Sequence, residues 1–228
     1  MKKIKIIAVV FFLSGNCFSQ GTEFGFMGGI NLSDLGTLPV SFTSNSNTSY
    51  HVGGFLNIYL SRKFDLQPQF LYTNLGSTLT QSIPYQVSSY LGNLTTIYNI
   101  KLSYIQVPIN FVHKFGIGWD IHGGPYVGFL MSDREQINQT FTYGNQSFGF
   151  DTTTNSTRGD YSVDVGIGLG IGYLMNSGLG FSLGYSFGIT RTFEAQSGID
   201  PNNGQSYYSP PFATNNWYSF SISYFLTR

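Results

Sequence analysis

The chain has 228 residues, with 11 basic against 11 acidic side chains, only 10% charged and 17% aromatic. A soluble domain usually carries about 25% charged residues, and disordered chains are charge-rich and aromatic-poor, so neither description fits. A neutral chain has no electrostatic footprint for phosphates, which argues against nucleic acid as a partner. A single cysteine rules out a disulfide framework and a cysteine-based zinc cluster.

Lys2, Lys3 and Lys5 precede the apolar run Ile6 to Leu13, and Ser14 to Ser19 supply small and polar residues before Gln20. That is the layout of a secretory signal peptide, and the run is too short to span a bilayer. Cleavage after Ser19 puts Cys17 and Ser19 at the −3 and −1 positions. The rival reading acylates Cys17 as a lipoprotein, but Asn16 stands where such a signal wants Gly, Ala or Ser. The expected organisation is therefore residues 1–19 as signal and 20–228 as one domain. Losing the three lysines leaves 8 basic against 11 acidic residues, a net charge of −3, with no cysteine. Beyond the signal the longest apolar stretch, Val165 to Met175, has eleven residues of which four are glycine. Each glycine costs a helix interior roughly 1 kcal/mol, so a membrane helix is excluded.

The dominant period in the rest of the chain is two. Glu23–Leu32 carries Phe24, Phe26, Ile30 and Leu32 on one face. Tyr50–Leu60 carries Tyr50, Val52, Leu56, Ile58 and Leu60, and Phe64–Thr73 carries Phe64, Leu66, Phe70 and Tyr72. Tyr98–Val112 alternates in two halves whose phase shifts near Tyr104–Ile105, so a bulge is expected there, and Pro108 suits such an interruption. Trp119–Met131 carries Trp119, Ile121, Val127, Phe129 and Met131; Val163–Tyr173 sets large residues against Asp164, Gly166, Gly168, Gly170 and Gly172. Leu179–Thr190 alternates strictly between large apolar and small residues, and Trp217–Leu226 carries Tyr218, Phe220, Ile222, Tyr224 and Leu226.

Short connections at Ser61–Lys63, His113–Gly118 and Asn176–Gly178 alternate with long ones at Ser33–Ser49, Gly76–Ile97, Ser132–Asp160 and Arg191–Asn216. A soluble sandwich would point its apolar face inward and coat the other with charge. Here the opposite face is glycine and serine. The expected fold is all-β: a closed eight-stranded antiparallel up-and-down transmembrane barrel in a Gram-negative outer membrane, with periplasmic turns and long external loops. Trp119 and Tyr173 fall at periplasmic strand ends, and Tyr50, Tyr72 and Tyr218 at external ends, where aromatic belts sit. Outer-membrane lipids and, during insertion, the barrel assembly machinery are the expected partners.

Several motifs run along the domain in order: Gly28-Gly29-Ile30-Asn31-Leu32-Ser33, Leu66 to Tyr72, Tyr104 to Ile109, Gly124 to Leu130, Asp164-Val165-Gly166 and Gly184 to Gly188. Together they resemble the PorT-like outer-membrane β-barrel family. The resemblance implies a barrel of mostly unknown role, and its founding member implies a possible secretion or envelope protein partner in a type IX apparatus. Gln69 and Gln106 stand where the family pattern often has Glu, which removes a lumenal carboxylate function. The last strand ends Phe225-Leu226-Thr227-Arg228 rather than on a terminal aromatic.

The glycine ladder 166–172 has a strict period of two with no helix after it, unlike a phosphate-cradling loop. Its glycines instead leave room for inward aromatics of facing strands: Phe55, Tyr59, Tyr126, Trp217 and Phe225. His51 and His122 are expected in the lumen and His113 in a turn, with no pair at metal-ligand spacing. An outer-leaflet lipid-modifying enzyme would need a His with a Ser and an acid, and His51 has no visible match in sequence. Asp65, Gln67, Gln69, Gln106, Asn110, Asp120, His122 and Asp164 make a polar lumen filling. Phe141, Tyr143, Phe148, Phe150, Tyr207, Tyr208 and Phe212 decorate the long loops. No catalytic, cofactor-binding or metal-binding residue is expected. The expected role is non-enzymatic, structural or partner-binding, with the secretion component and the lipid-modifying enzyme as alternatives.

Overall fold

The computed structural model describes residues 21–36, 42–87, 90–143, 146–154, 162–191, 196–199, 206–209 and 213–226. The expected signal segment lies outside them. The described elements are strands: β1 (Thr22–Gly36), β2 (Phe42–Tyr59), β3 (Phe64–Val87), β4 (Tyr90–Phe115), β5 (Trp119–Tyr143), β6 (Gln146–Thr154), β7 (Val163–Leu174), β8 (Leu179–Gly188), β9 (Gln196–Ile199), β10 (Ser206–Ser209) and β11 (Thr214–Phe225). No described helix is long and apolar enough to cross a membrane.

Strands β1, β2, β3, β4, β5, β7, β8 and β11 form a ring in which each pairs antiparallel with two neighbours, and β11 returns to β1. A ring leaves no edge, which is what hydrocarbon demands of a sheet. The side chains alternate as the period of two requires. Phe26, Leu169, Leu183 and Tyr218 are among the large apolar residues left exposed on the outside, while Asn31, His51, Asp65 and Gln106 are buried inside. Aromatic pairs mark both margins of the apolar band: Trp119 with Tyr173 at 5.0 Å, and Tyr50 with Tyr72 and Tyr185 with Tyr218 at 6.3 and 4.8 Å. The short turns hold glycines at positive φ, Gly116 and Gly118 in one and Gly178 in another, where only glycine is free of strain.

All four connections expected as long loops contain sheet instead. Gly76–Ile97 is a continuation of β3 and β4, which run 24 and 26 residues and pair from Phe64–His113 to Val87–Tyr90. Ser132–Asp160 contributes the far half of β5 and, from Gln146, β6, paired through Phe141 and Phe148. Ser33–Ser49 holds the end of β1 and the start of β2, and Arg191–Asn216 includes the β9–β10 hairpin and the start of β11. At roughly 3.3 Å per residue, β3 runs some 50 Å beyond Tyr72, well past the apolar band. His113 lies within β4, paired with Phe64 and Ile121, so the turn is shorter than expected.

The irregularity near Tyr104 is real but belongs to the neighbour. The β4–β5 register shifts between Ser103 and Tyr104, which pair with Ser132 and Leu130, so the extra residue is Met131 of β5. Within β4 even-numbered residues face inward on both sides of it, from Ile100 to Val112. Pro108 takes a regular place opposite Tyr126. A second shift, in β2 between Ser46 and His51, reverses which residues of β2 face inward.

Candidate functional site in the barrel interior

The lumen is built in layers. At the short-turn end, Lys114 Nζ meets Asp65 Oδ2 at 2.5 Å and lies over the Tyr59 ring at 4.3 Å. Asn57 Nδ2 donates to the same Asp65 oxygen at 2.8 Å. Asp65 is 1% exposed, and a carboxylate so placed is stable only with a cation and donors around it. One strand further round, His122 Nδ1 and Asp120 Oδ1 are 2.7 Å apart.

The middle layer holds a chain the sequence did not reveal. His51 Nδ1 lies 2.8 Å from Asn31 Oδ1 and His51 Nε2 lies 2.9 Å from Ser221 Oγ. Asn31 Nδ2 donates to the Asn74 carbonyl at 3.2 Å. That bond fixes the amide so that its oxygen accepts from His51 Nδ1–H. Nε2 is then the lone-pair nitrogen and accepts from the Ser221 hydroxyl. The three residues sit on β1, β2 and β11, and Gly29 stands in register between His51 and Ser221. A Cβ on Gly29 would come within 2.7 Å of the His51 ring, so glycine is what lets the imidazole reach across β1. The sequence signal was Gly29 two residues before Asn31, readable only once the registers were known.

Order and tautomer match a serine activated by a histidine base. One feature favours a structural lock instead: Ser221 is only 4% exposed.

Above lies a second network. Asp164 accepts from Asn215 Nδ2 at 3.2 Å, Thr190 Oγ1 at 3.0 Å and Tyr126 Oη at 3.3 Å. Asn215 Nδ2 also donates to Tyr104 Oη at 3.1 Å. Tyr126 and Trp217 meet edge-on at 5.2 Å. Over them sits an apolar cluster that includes Leu35, Leu75, Leu79, Ile100, Leu102 and Ala213. This cluster, built where β1, β3 and β4 outlast the apolar band, caps the lumen at the long-hairpin end.

Below the cap is a cavity of about 590 Å³ whose lining runs from Tyr126 and Trp217 down to the turn residues Arg62, Lys63 and Gly116. Those turn residues are exposed, so it opens at the short-turn end. The expected polar residues Asp65, Gln67, Gln69, Gln106, Asn110, Asp120 and His122 line it; Asp164 lies in the layer above. The five inward aromatics are also in the lumen, but the glycines accommodate side chains of adjacent rather than facing strands. A Cβ at Gly166 would sit 2.5 Å from the Tyr126 ring, one at Gly170 2.4 Å from His122, and one at Gly25 2.5 Å from Phe55. The aromatics and polar residues expected to fill the lumen thus leave space between them: the aliphatic cluster lies above, and the cavity remains beneath it.

Of the expected loop aromatics, Phe141 and Phe148 stand opposite each other and, with Leu94 and Gln139, line a small crevice on the projecting sheet. The side chains of Tyr143, Phe150, Tyr207, Tyr208 and Phe212 lie outside the described residues. Among the described residues no group of three His, Cys, Asp or Glu could hold a metal ion.

A ring of eight antiparallel strands, apolar outside and polar inside, defines an outer-membrane-type β-barrel. The chain belongs to the family of the outer membrane protein beta-barrel domain, whose model matches residues 18–194. Among solved structures it is similar to Ail, the attachment invasion locus protein of Yersinia pestis, at 8% identity and a TM-score of 0.42, covering 91% of this chain and 100% of that one. It is also similar to Neisserial surface protein A, at 11% identity and a TM-score of 0.37, covering 90% and 99%. A third is the outer membrane protease OmpT from Escherichia coli, at 8% identity and a TM-score of 0.32, covering 90% and 96%. No curated protein matches the sequence significantly.

Proposed function

We propose that this chain is a non-enzymatic barrel of a Gram-negative outer membrane, exported by residues 1–19, that anchors a projecting β-sheet as an external partner-binding surface. The observation that carries the reading is the continuation of β3, β4 and β5 past the apolar band, with β6 added outside the ring. Loops that merely joined strands would need no such sheet. By the rule that barrels keep short turns in the periplasm, the cap lies at the external mouth and the cavity opens to the periplasm. The motifs shared with PorT-like barrels favour a second reading, a component of a type IX secretion apparatus; loss of cargo secretion in a deletion strain would support it.

Orientation is tested with single cysteines in the otherwise cysteine-free exported chain. Gln139→Cys on the projecting sheet should react with a membrane-impermeant maleimide on intact cells, and Ile117→Cys, 86% exposed in a short turn, should react only after lysis. The reverse pattern would invert the barrel.

The non-enzymatic half of the proposal has its own test at Ser221. An activated serine forms a covalent adduct with fluorophosphonates, whereas a hydroxyl held as a structural donor does not. Mass spectrometry of the refolded protein after such treatment should find Ser221 unmodified. An adduct that disappears in His51→Gln would make the lumen an esterase-like site and overturn this half of the reading.

A further inference from the structure

We infer that the lumenal cavity is a binding site for a small neutral saccharide of one or two rings, entered from the short-turn end. The inference starts from buried groups with nothing bonded to them. Gln106 Nε2 and Thr73 Oγ1 in the middle layer, and Asp65 Oδ1 nearer the mouth, are buried without a hydrogen-bond partner. Gln106 and Thr73 are each 2% exposed and both line the cavity. Leaving such groups unsatisfied is costly, and they have different needs. The amide nitrogen can only donate, and the threonine hydroxyl does either. A ligand hydroxyl serves both, whereas Asp65, roughly 26 Å from Thr73 down the same strand at about 3.3 Å per residue, is out of reach of the same one or two rings.

Charge points the same way. Charges of both signs line the mouth: Asp65 pairs with Lys114 and Asp120 with His122, and Glu23, 8% exposed, is matched in sign by Arg62 and Lys63. Together they present no single sign to a ligand. The wall above them on β3 and β4 is neutral amide, Gln67, Gln69, Gln106 and Asn110. The wall on β7, β8 and β11 is glycine and serine, smooth enough for a ring to lie against. Trp217, Tyr126 and Phe55 supply apolar faces for the C–H side of a sugar. The volume, about 590 Å³, lies within the roughly 300–1,000 Å³ of small-molecule sites.

The test uses Trp217, which lines the blind end, as a reporter in the full refolded chain. Trp119→Phe leaves it as the only indole, since the protein has two tryptophans. Maltose and N,N′-diacetylchitobiose are titrated, with diglycine and inorganic phosphate as controls. The expected result is saturable quenching by a disaccharide with Kd of ~0.1–10 mM. Gln106→Leu should weaken it about tenfold by removing one hydrogen bond. Gly168→Val should weaken it by roughening the wall against which the ring lies, since a Cβ there meets only the Ser186 hydroxyl, at 3.2 Å. Both variants are first checked for an unchanged melting temperature; should Gln106→Leu fail to fold, Thr73→Val takes its place. The inference falls if neither sugar saturates, leaving the cavity to water, if diglycine or phosphate binds more tightly, or if binding is unchanged in Gly168→Val.

Discussion

Leu183→Arg is expected to cost about 2–4 kcal/mol of folding stability in lipid vesicles, while Ser182→Thr, one residue earlier, stays nearly silent. Leu183 is in the middle of β8, 58% exposed, and pairs with Ile171 and Phe220, which are also exposed. On the surface of a soluble protein that exposure would let an arginine replace it at almost no cost. In the centre of an apolar band the same position lies in hydrocarbon, and the guanidinium must be dehydrated or drawn to a headgroup. Ser182 points to the cavity, where an added methyl finds room. Refolding titrations of both variants read the difference directly. Equal destabilisation would mean that the two faces of β8 are not lipid and lumen.

Leu102→Ala is the second large effect. Leu102 is 1% exposed within the cap cluster, against Leu75, Leu79, Ile100 and Tyr104. Truncating a leucine so enclosed removes transfer free energy and leaves a cavity that packed strands cannot collapse, together about 2–5 kcal/mol. The result to look for is a lower denaturation midpoint with an unchanged slope. A change below about 1 kcal/mol would mean that the cluster is loosely packed and does not seal the mouth.

These two leucines also explain what the sequence made legible. Where one strand face meets lipid, every residue on it must be large and apolar, and the period of two becomes unmistakable, as in Leu179–Gly188. Past the apolar band that demand ends. Thr78 and Thr80 face outward and Leu75, Ser77 and Leu79 inward on β3; a stretch rich in Ser, Thr and Asn reads as loop although its backbone continues as strand. The apparent phase shift in Tyr98–Val112 has the same origin. The backbone of β4 keeps its phase, but Ile100 and Leu102 are apolar toward the inside of the cap, whereas Ile105 and Ile109 are apolar toward lipid. The environment changes sides, not the strand.

The site was legible in part. Asp65, Gln69, Gln106, Asp120 and His122 could be assigned to the lumen from alternation alone, because parity fixes the face. Alternation says nothing about which strands are neighbours or how they are staggered. Ser221 could be matched to His51, and Lys114 to Asp65, only through the registers of β1 with β2 and β11 and of β3 with β4.

Planar-bilayer recording of the refolded wild-type chain, run beside liposome swelling with small sugars, tests the capped barrel most directly. A lumen sealed by the Leu75–Leu79–Ile100–Leu102 cluster over Tyr126 and Trp217 gives a silent membrane, or rare small openings, and no swelling, even if sugar enters the cavity from the short-turn end. Stable, large single-channel steps accompanied by sugar permeation would contradict the cap and make the protein a pore.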